Sequence, residues 1–175
     1  MLKNRGSEGS SSPVCSVGSR LACVEALDDE TAETLCGFFE RARIWFRSIG
    51  IAVDEVTSDN GANFRSRKFA AQLARHAIAH TFTRPYRPQT NGKAERFNRT
   101  LTDEFLYNYK FRSETDRRRR LQTWVHHYDL HRHHTATGGT PASRVHSLYG
   151  STTSYQSLPT RAALAQQPVA LQQEV

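Results

Sequence analysis

Two carboxylates stand out for the chemistry their settings could support. Asp59 ends the β-rich run "IAVDEVTSD", and Asn60-Gly61 then turn the backbone away. Glu95 follows after thirty-five intervening residues, alone in "RPYRPQTNGKAERFNRT" among the cations Arg84, Arg87, Lys93, Arg96 and Arg99. A carboxylate at a strand's carboxyl end points into the crevice where α/β sheets usually bind ligands. Two convergent carboxylates suit a hard divalent cation such as Mg²⁺, which favours oxygen ligands and keeps waters that a phosphate can share. A pair of such ions roughly 4 Å apart can activate a hydroxyl nucleophile and stabilise the leaving oxygen in phosphodiester chemistry. Each residue alone has a plainer reading. Asp before Asn-Gly forms turns, and Glu in a helix's first turn complements the helix dipole.

The elements that must position this pair are legible in outline. "RLACVEAL", from Arg20 to Leu27, alternates as a strand, with Leu21, Cys23 or Val24 inward. "DDETAETLCGFFERARIWFRSIG" carries acids at its start, cations near its end and Gly50 as a stop. Its Leu35, Phe38, Phe39, Ala42, Trp45 and Phe46 recur at helical spacing and make one broad apolar face. "IAVDEVTSD" predicts a short strand ending at Asp59. A helix is expected from about Ser66, its cap, to Arg75, with Phe69, Leu73 and Ala77 apolar. "IAHTFT" predicts another strand. Two prolines and Asn-Gly keep "RPYRPQTNG" irregular. Helices follow over about Lys93–Tyr109, with Ala94, Phe97, Leu101 and Phe105 on one side, and about Glu114–His131, with Leu121, Trp124, Val125 and Tyr128 inward. After Pro141 the pattern fades. The alternation of strand and helix argues for an α/β layer with some parallel pairing. One helix and one strand separate Asp59 from Glu95, so both can reach the same sheet edge.

Composition narrows the partners. Lys plus Arg number 24 against 17 Asp plus Glu, with eight His, over 175 residues. This balance favours nucleic acid or another anionic partner. No apolar run approaches a membrane span, and "MLKNRGSEGSSSPVCS" lacks the apolar core of a secretory signal, so no membrane partner is expected. Cys15, Cys23 and Cys36 form no CxxC pair and read as reduced cytoplasmic thiols. Residues 1–18, rich in Ser and Gly, are expected to be a disordered segment, 19–145 the folded core, and 146–175 a flexible polar tail. "RRRR" at 117–120 reads either as a solvated helix face or as a cationic surface. His127 and His131 share a helix face, but no Cys or acidic partner completes a zinc pattern.

"TSDNGANF" and then "GKAERFNRTL", with thirty-five residues between Asp59 and Glu95, resemble the catalytic core of DDE transposases and retroviral-type integrases, and in particular bacterial insertion-sequence transposases. The resemblance covers roughly Ser19 to Val145. It implies an α/β fold of the RNase H-like type, an integrase core with a three-layer mixed sheet flanked by helices. It also implies two Mg²⁺ or Mn²⁺ ions, strand transfer joining transposon ends to target DNA, and action at the nucleoid of a bacterial cytoplasm. Asp59 and Glu95 take the second and third places of the metal-binding catalytic triad. Arg99 and Asn98, one turn beyond Glu95, are the best DNA contacts, and Asn91 matches a polar contact of the family's flexible loop. Arg84, Arg87, Lys93 and Arg96 are expected to meet phosphates, adding salt-sensitive affinity. Homo-oligomers, or mixed oligomers with a full-length transposase, are expected.

The resemblance has departures. Asp129 stands where Asn is common and His133 where Pro is, which is expected to loosen the turn leading to "GGTP". No acid fits the triad's first Asp: Glu8 lies in a Ser/Gly-rich stretch and Glu25 on a later strand. The expectation is a transposase truncated at its N-terminus, lacking the family's first strand or strands and the end-recognition helix-turn-helix. Such a chain would be weakly active or inactive, or a non-catalytic DNA-binding fragment able to inhibit full-length transposase. Strand β-edges left by the loss would need new partners for their backbone donors and acceptors.

Overall fold

A computed structural model describes residues 14–16, 20–83, 92–135 and 138–149. The elements run β1 (Val14–Ser16), β2 (Ala22–Val24), α1 (Ala32–Ser48), β3 (Glu55–Ser58), α2 (Arg67–Arg75), β4 (Ala79–Phe82), α3 (Gly92–Leu101), α4 (Glu114–Leu130) and α5 (Pro141–Tyr149). A π-helical turn, Thr102–Leu106, extends α3. Among the described residues β1 pairs antiparallel with β2, and β3 pairs parallel with β4.

Strand β2 explains the layering. Successive side chains of a strand point to opposite faces. Leu21 and Cys23 enter a core with α1, Phe69 and Leu73 of α2, and Val145 of α5. Ala22 and Val24 enter a second core with Phe97, Leu101, Phe105, Leu121, Val125 and Tyr128. Helices therefore cover β2 on both faces, and no inward choice among Leu21, Cys23 and Val24 has to be made, since all three are buried.

Helix α1 begins where Thr31 accepts from the Thr34 N–H and Asp29 accepts from the Thr31 N–H and hydroxyl. It buries the six residues expected of it. Full burial of each such large apolar side chain contributes about 1.5–3 kcal/mol. Gly50, at φ +80°, ends it. Ser66 caps α2 through the Phe69 N–H. Ala77 lies beyond that helix, exposed and at φ +54°. The spacing that grouped it with Phe69 and Leu73 is broken because the chain turns at His76 to enter β4.

Helix α4 does more than pack. Asp129 is buried, and its Oδ1 accepts from the Ala22 N–H at 3.0 Å. Gln122 Nε2 donates to the Val24 carbonyl at 3.1 Å. The Asp at 129 therefore ties α4 to β2. The leader is also less irregular than its composition suggests, since Val14–Ser16 forms β1 against β2. A strand buried on both faces must satisfy its backbone, and β1 and two side chains of α4 do this. At the other end the pattern does not fade after Pro141. Thr140 Oγ accepts from the Ser143 N–H, Pro141 sits at the first helical position, and Ala142 and Val145 are buried.

Candidate nucleic-acid and metal site

Asp59 directly follows β3, half-buried, at the end of the parallel pair. The pairing register sets Ser58 opposite Phe82, so β3 and β4 end at one sheet edge. Asp59 is fastened there on both sides. Ser58 O accepts from the Thr83 N–H at 2.8 Å, and Asn60 Nδ2 donates to the Thr83 carbonyl at 3.0 Å. The Asp59 carboxylate accepts from the Gly61 N–H through Oδ1 at 2.9 Å. A Cβ at position 61 would lie 2.9 Å from the same oxygen and 3.4 Å from the Phe64 ring. Glycine is thus needed for a close approach, and Oδ2 is the oxygen this turn leaves for a ligand.

Glu95 is exposed in the first turn of α3. Among the described residues no hydrogen bond joins it to Asp59, and no group of three or more His, Cys, Asp or Glu forms a metal cluster. Arg96 and Arg99 are exposed on the same helix, while Phe97 and Leu101 turn inward. Asn98 is half-buried, and its Nδ2 is buried without a partner among the described residues. A DNA contact through that amide requires the side chain to turn outward. Lys93 lies on α3, its side chain outside the described set, and Arg84, Arg87 and Asn91 lie wholly outside it.

The arginine run of α4 resolves into ion pairs. Arg117 and Arg118 both bind Glu114, Arg118 also reaches Asp28, and Arg119 and Arg120 bind Asp116. Hydrogen bonding from Arg117 holds the Glu114 carboxyl down at about 2, and Arg120 does the same for Asp116, also about 2. These guanidiniums serve the start of α4 first. The His127 and His131 rings lie 5.9 Å apart and tilted, without further metal donors among the described residues. Cys23 and Cys36 are free thiols, and burial raises the titration of Cys36.

One contact had no signal in the sequence. Ser58 Oγ lies 2.8 Å from His80 Nε2. His80 sits on β4, and only the parallel register of β3 and β4 reveals it as a neighbour of Asp59.

Two models described as Integrase core domain match overlapping stretches of the chain, residues 12–88 and 76–141. An uncharacterized 39.2 kDa protein of insertion element IS476 from Xanthomonas euvesicatoria is 32% identical over 111 residues, 63% of this chain and 32% of that protein. The chain spans less than half the length of the curated relatives it matches. The catalytic core domain of BIV integrase superposes with a TM-score of 0.61 at 20% identity, covering 77% of this chain and 84% of that one. The HTLV-2 integrase catalytic core domain, solved with magnesium, gives 0.60 at 17% identity, covering 81% and 89%. Two-faced burial of β2, the parallel β3–β4 pair ending at Asp59, and these matches together make the chain a member of the integrase core family, with the RNase H-like fold.

Proposed function

We propose that the chain descends from a DNA-integrating transposase, with a site suited to metal-dependent phosphodiester strand transfer. In this reading Asp59 and Glu95 are its catalytic carboxylates and bind Mg²⁺ or Mn²⁺. The observation that carries it is the shared end of β3 and β4. Asp59 and the segment leading to Glu95 leave the sheet at that one edge. The donor set fits a hard cation, because both residues offer carboxylate oxygens and the Gly61 N–H occupies only one oxygen of Asp59. It is short for two ions, since no third acid joins them among the described residues. A bound ion would activate the attacking hydroxyl and neutralise charge on the leaving oxygen.

The chain's own residues divide the remaining work. The turn at 59–61 presents Asp59 at a fixed place. Glu95, exposed on α3, is free to approach a shared ion. Arg96 and Arg99 flank it and hold phosphates, with Arg84, Arg87, Asn91, Lys93 and Asn98 as further DNA contacts. Each phosphate neutralised adds affinity that falls as salt rises. With these two carboxylates as the donors among the described residues, the ions are held weakly in this reading, and the chain binds DNA better than it joins it. In a bacterial cytoplasm it would associate with transposon ends, with copies of itself, or with a full-length transposase that it inhibits.

Purified protein, labelled transposon ends and Mg²⁺ or Mn²⁺ test this. Salt-sensitive binding weakened by Arg96→Ala or Arg99→Ala is expected, with little strand transfer. Efficient transfer abolished by Glu95→Gln would establish an active enzyme and overturn the inhibitory reading. Absence of DNA binding at low salt would overturn both.

A further inference from the structure

We propose that His80 is a positioning residue for Asp59, acting through the hydroxyl of Ser58; its purpose rests on the metal-site reading above, while its geometry stands apart from it. Ser58 is fully buried, and its hydroxyl carries one proton. The Asp59 carbonyl, 3.0 Å from Oγ, can only accept, so that proton goes to it. Oγ must then accept from His80 Nε2, 2.8 Å away, which therefore carries hydrogen. The relay runs from the Nε2–H to Ser58 Oγ, and from the Oγ–H to the Asp59 carbonyl.

The imidazole that starts the relay is itself held. Its ring meets Phe69 edge-on at 5.5 Å and lies 4.2 Å from the Phe82 ring. Burial pushes its titration below the usual histidine range, which leaves a neutral ring with one N–H. Thr83 fastens Ser58 and Asn60 on either side, but the Asp59 peptide between them depends on Ser58. Removing Ser58 Oγ takes that carbonyl's partner away, and removing His80 lets the Oγ–H turn from it; either way the 59–60 peptide can rotate, carrying with it the carboxylate that Gly61 orients. His80 thus fixes the direction of a carboxylate it does not touch.

Three variants test this. His80→Leu keeps bulk and removes the donor, His80→Gln restores an N–H near the place of Nε2, and Ser58→Ala removes the relay itself. Amide hydrogen exchange at Gly61 reads the turn without metal, and Mn²⁺ titration by electron paramagnetic resonance reads the site. His80→Leu and Ser58→Ala are each expected to speed Gly61 exchange at least tenfold and to weaken Mn²⁺ binding several-fold. His80→Gln should restore both, and the Leu/Ala double substitution should be no worse than the worse single one. Unchanged Gly61 exchange in His80→Leu and in Ser58→Ala, or additive effects in the double variant, would overturn the inference. The metal reading fails separately if Asp59→Asn leaves Mn²⁺ affinity unchanged, and Gly61 exchange then still decides whether His80 positions the turn.

Discussion

Replacing Gly61 with Ala adds one carbon and tests whether the turn after β3 aims Asp59. The new Cβ would lie 2.9 Å from Asp59 Oδ1 and 3.4 Å from Phe64. The first distance is too short to persist, so the carboxylate must rotate and its 2.9 Å bond from the Gly61 N–H is lost or bent. A hydrogen bond to a charged group contributes about 1.5–3 kcal/mol, and the exposure of this turn places the loss near the lower figure. Alanine also lowers the entropy of the unfolded chain, which stabilises by about 0.4–1 kcal/mol. The two largely offset, so overall stability should fall by no more than about 1 kcal/mol. Metal affinity has no such compensation, and a misdirected oxygen worth about 1.4 kcal/mol weakens binding about tenfold. Mn²⁺ titration of Gly61→Ala beside a thermal melt separates the two effects. Wild-type Mn²⁺ affinity in Gly61→Ala, together with a loss in Asp59→Asn, would refute the idea that the turn aims the carboxylate.

Asp129→Ala should destabilise by about 1–3 kcal/mol, because it removes the buried carboxylate oxygen that accepts from the Ala22 N–H. Asp129→Asn keeps an acceptor and should recover most of that in urea unfolding; equal stability of the Ala variant would contradict the role given to α4. Ala77→Gly should be neutral or stabilising by up to about 1 kcal/mol in the same assay, since Ala77 is held at φ +54°. Acidification should act in two stages. Burial, foremost, lowers the titration of His134 in the folded chain. The unfolded chain therefore takes up a proton first, and this contribution, complete above about pH 6.5, is lost as pH falls through the depressed folded value. Glu114 and Asp116, both held at about 2, contribute above their unfolded values and lose that contribution as pH drops toward 2. A melting temperature that rises on acidification below pH 6 would show the sign to be wrong.

Legibility in the sequence followed how local each determinant was. The buried face of α1 and the Ser66 cap depend on residues three or four apart, so periodicity exposes them. The position of Asp59 at a strand end was equally local. What escaped depended on partners distant in sequence. Val14–Ser16 forms a strand because β2 needs a neighbour, and nothing in a Ser/Gly-rich leader announces that. The role of Asp129 appears only once Ala22, 107 residues earlier, is beside it. The arginines at 117–120 read as free charge until Glu114, Asp116 and Asp28 are seen to hold them. The Ser58–His80 contact requires the parallel register of β3 and β4. Helix α5 had a local signal in Thr140-Pro141, but its short apolar face, Ala142 and Val145, gave too little periodicity to extend it.

The proposed chemistry requires Asp59 and Glu95 to grip a common divalent ion. A Mn²⁺ binding cycle over wild type, Asp59→Asn, Glu95→Gln and the double substitution, in the presence of duplex DNA, tests it most directly. Shared coordination predicts that each single change weakens binding about tenfold or more and that the double change adds little. Full wild-type affinity in either single variant, or strictly additive losses, would contradict it.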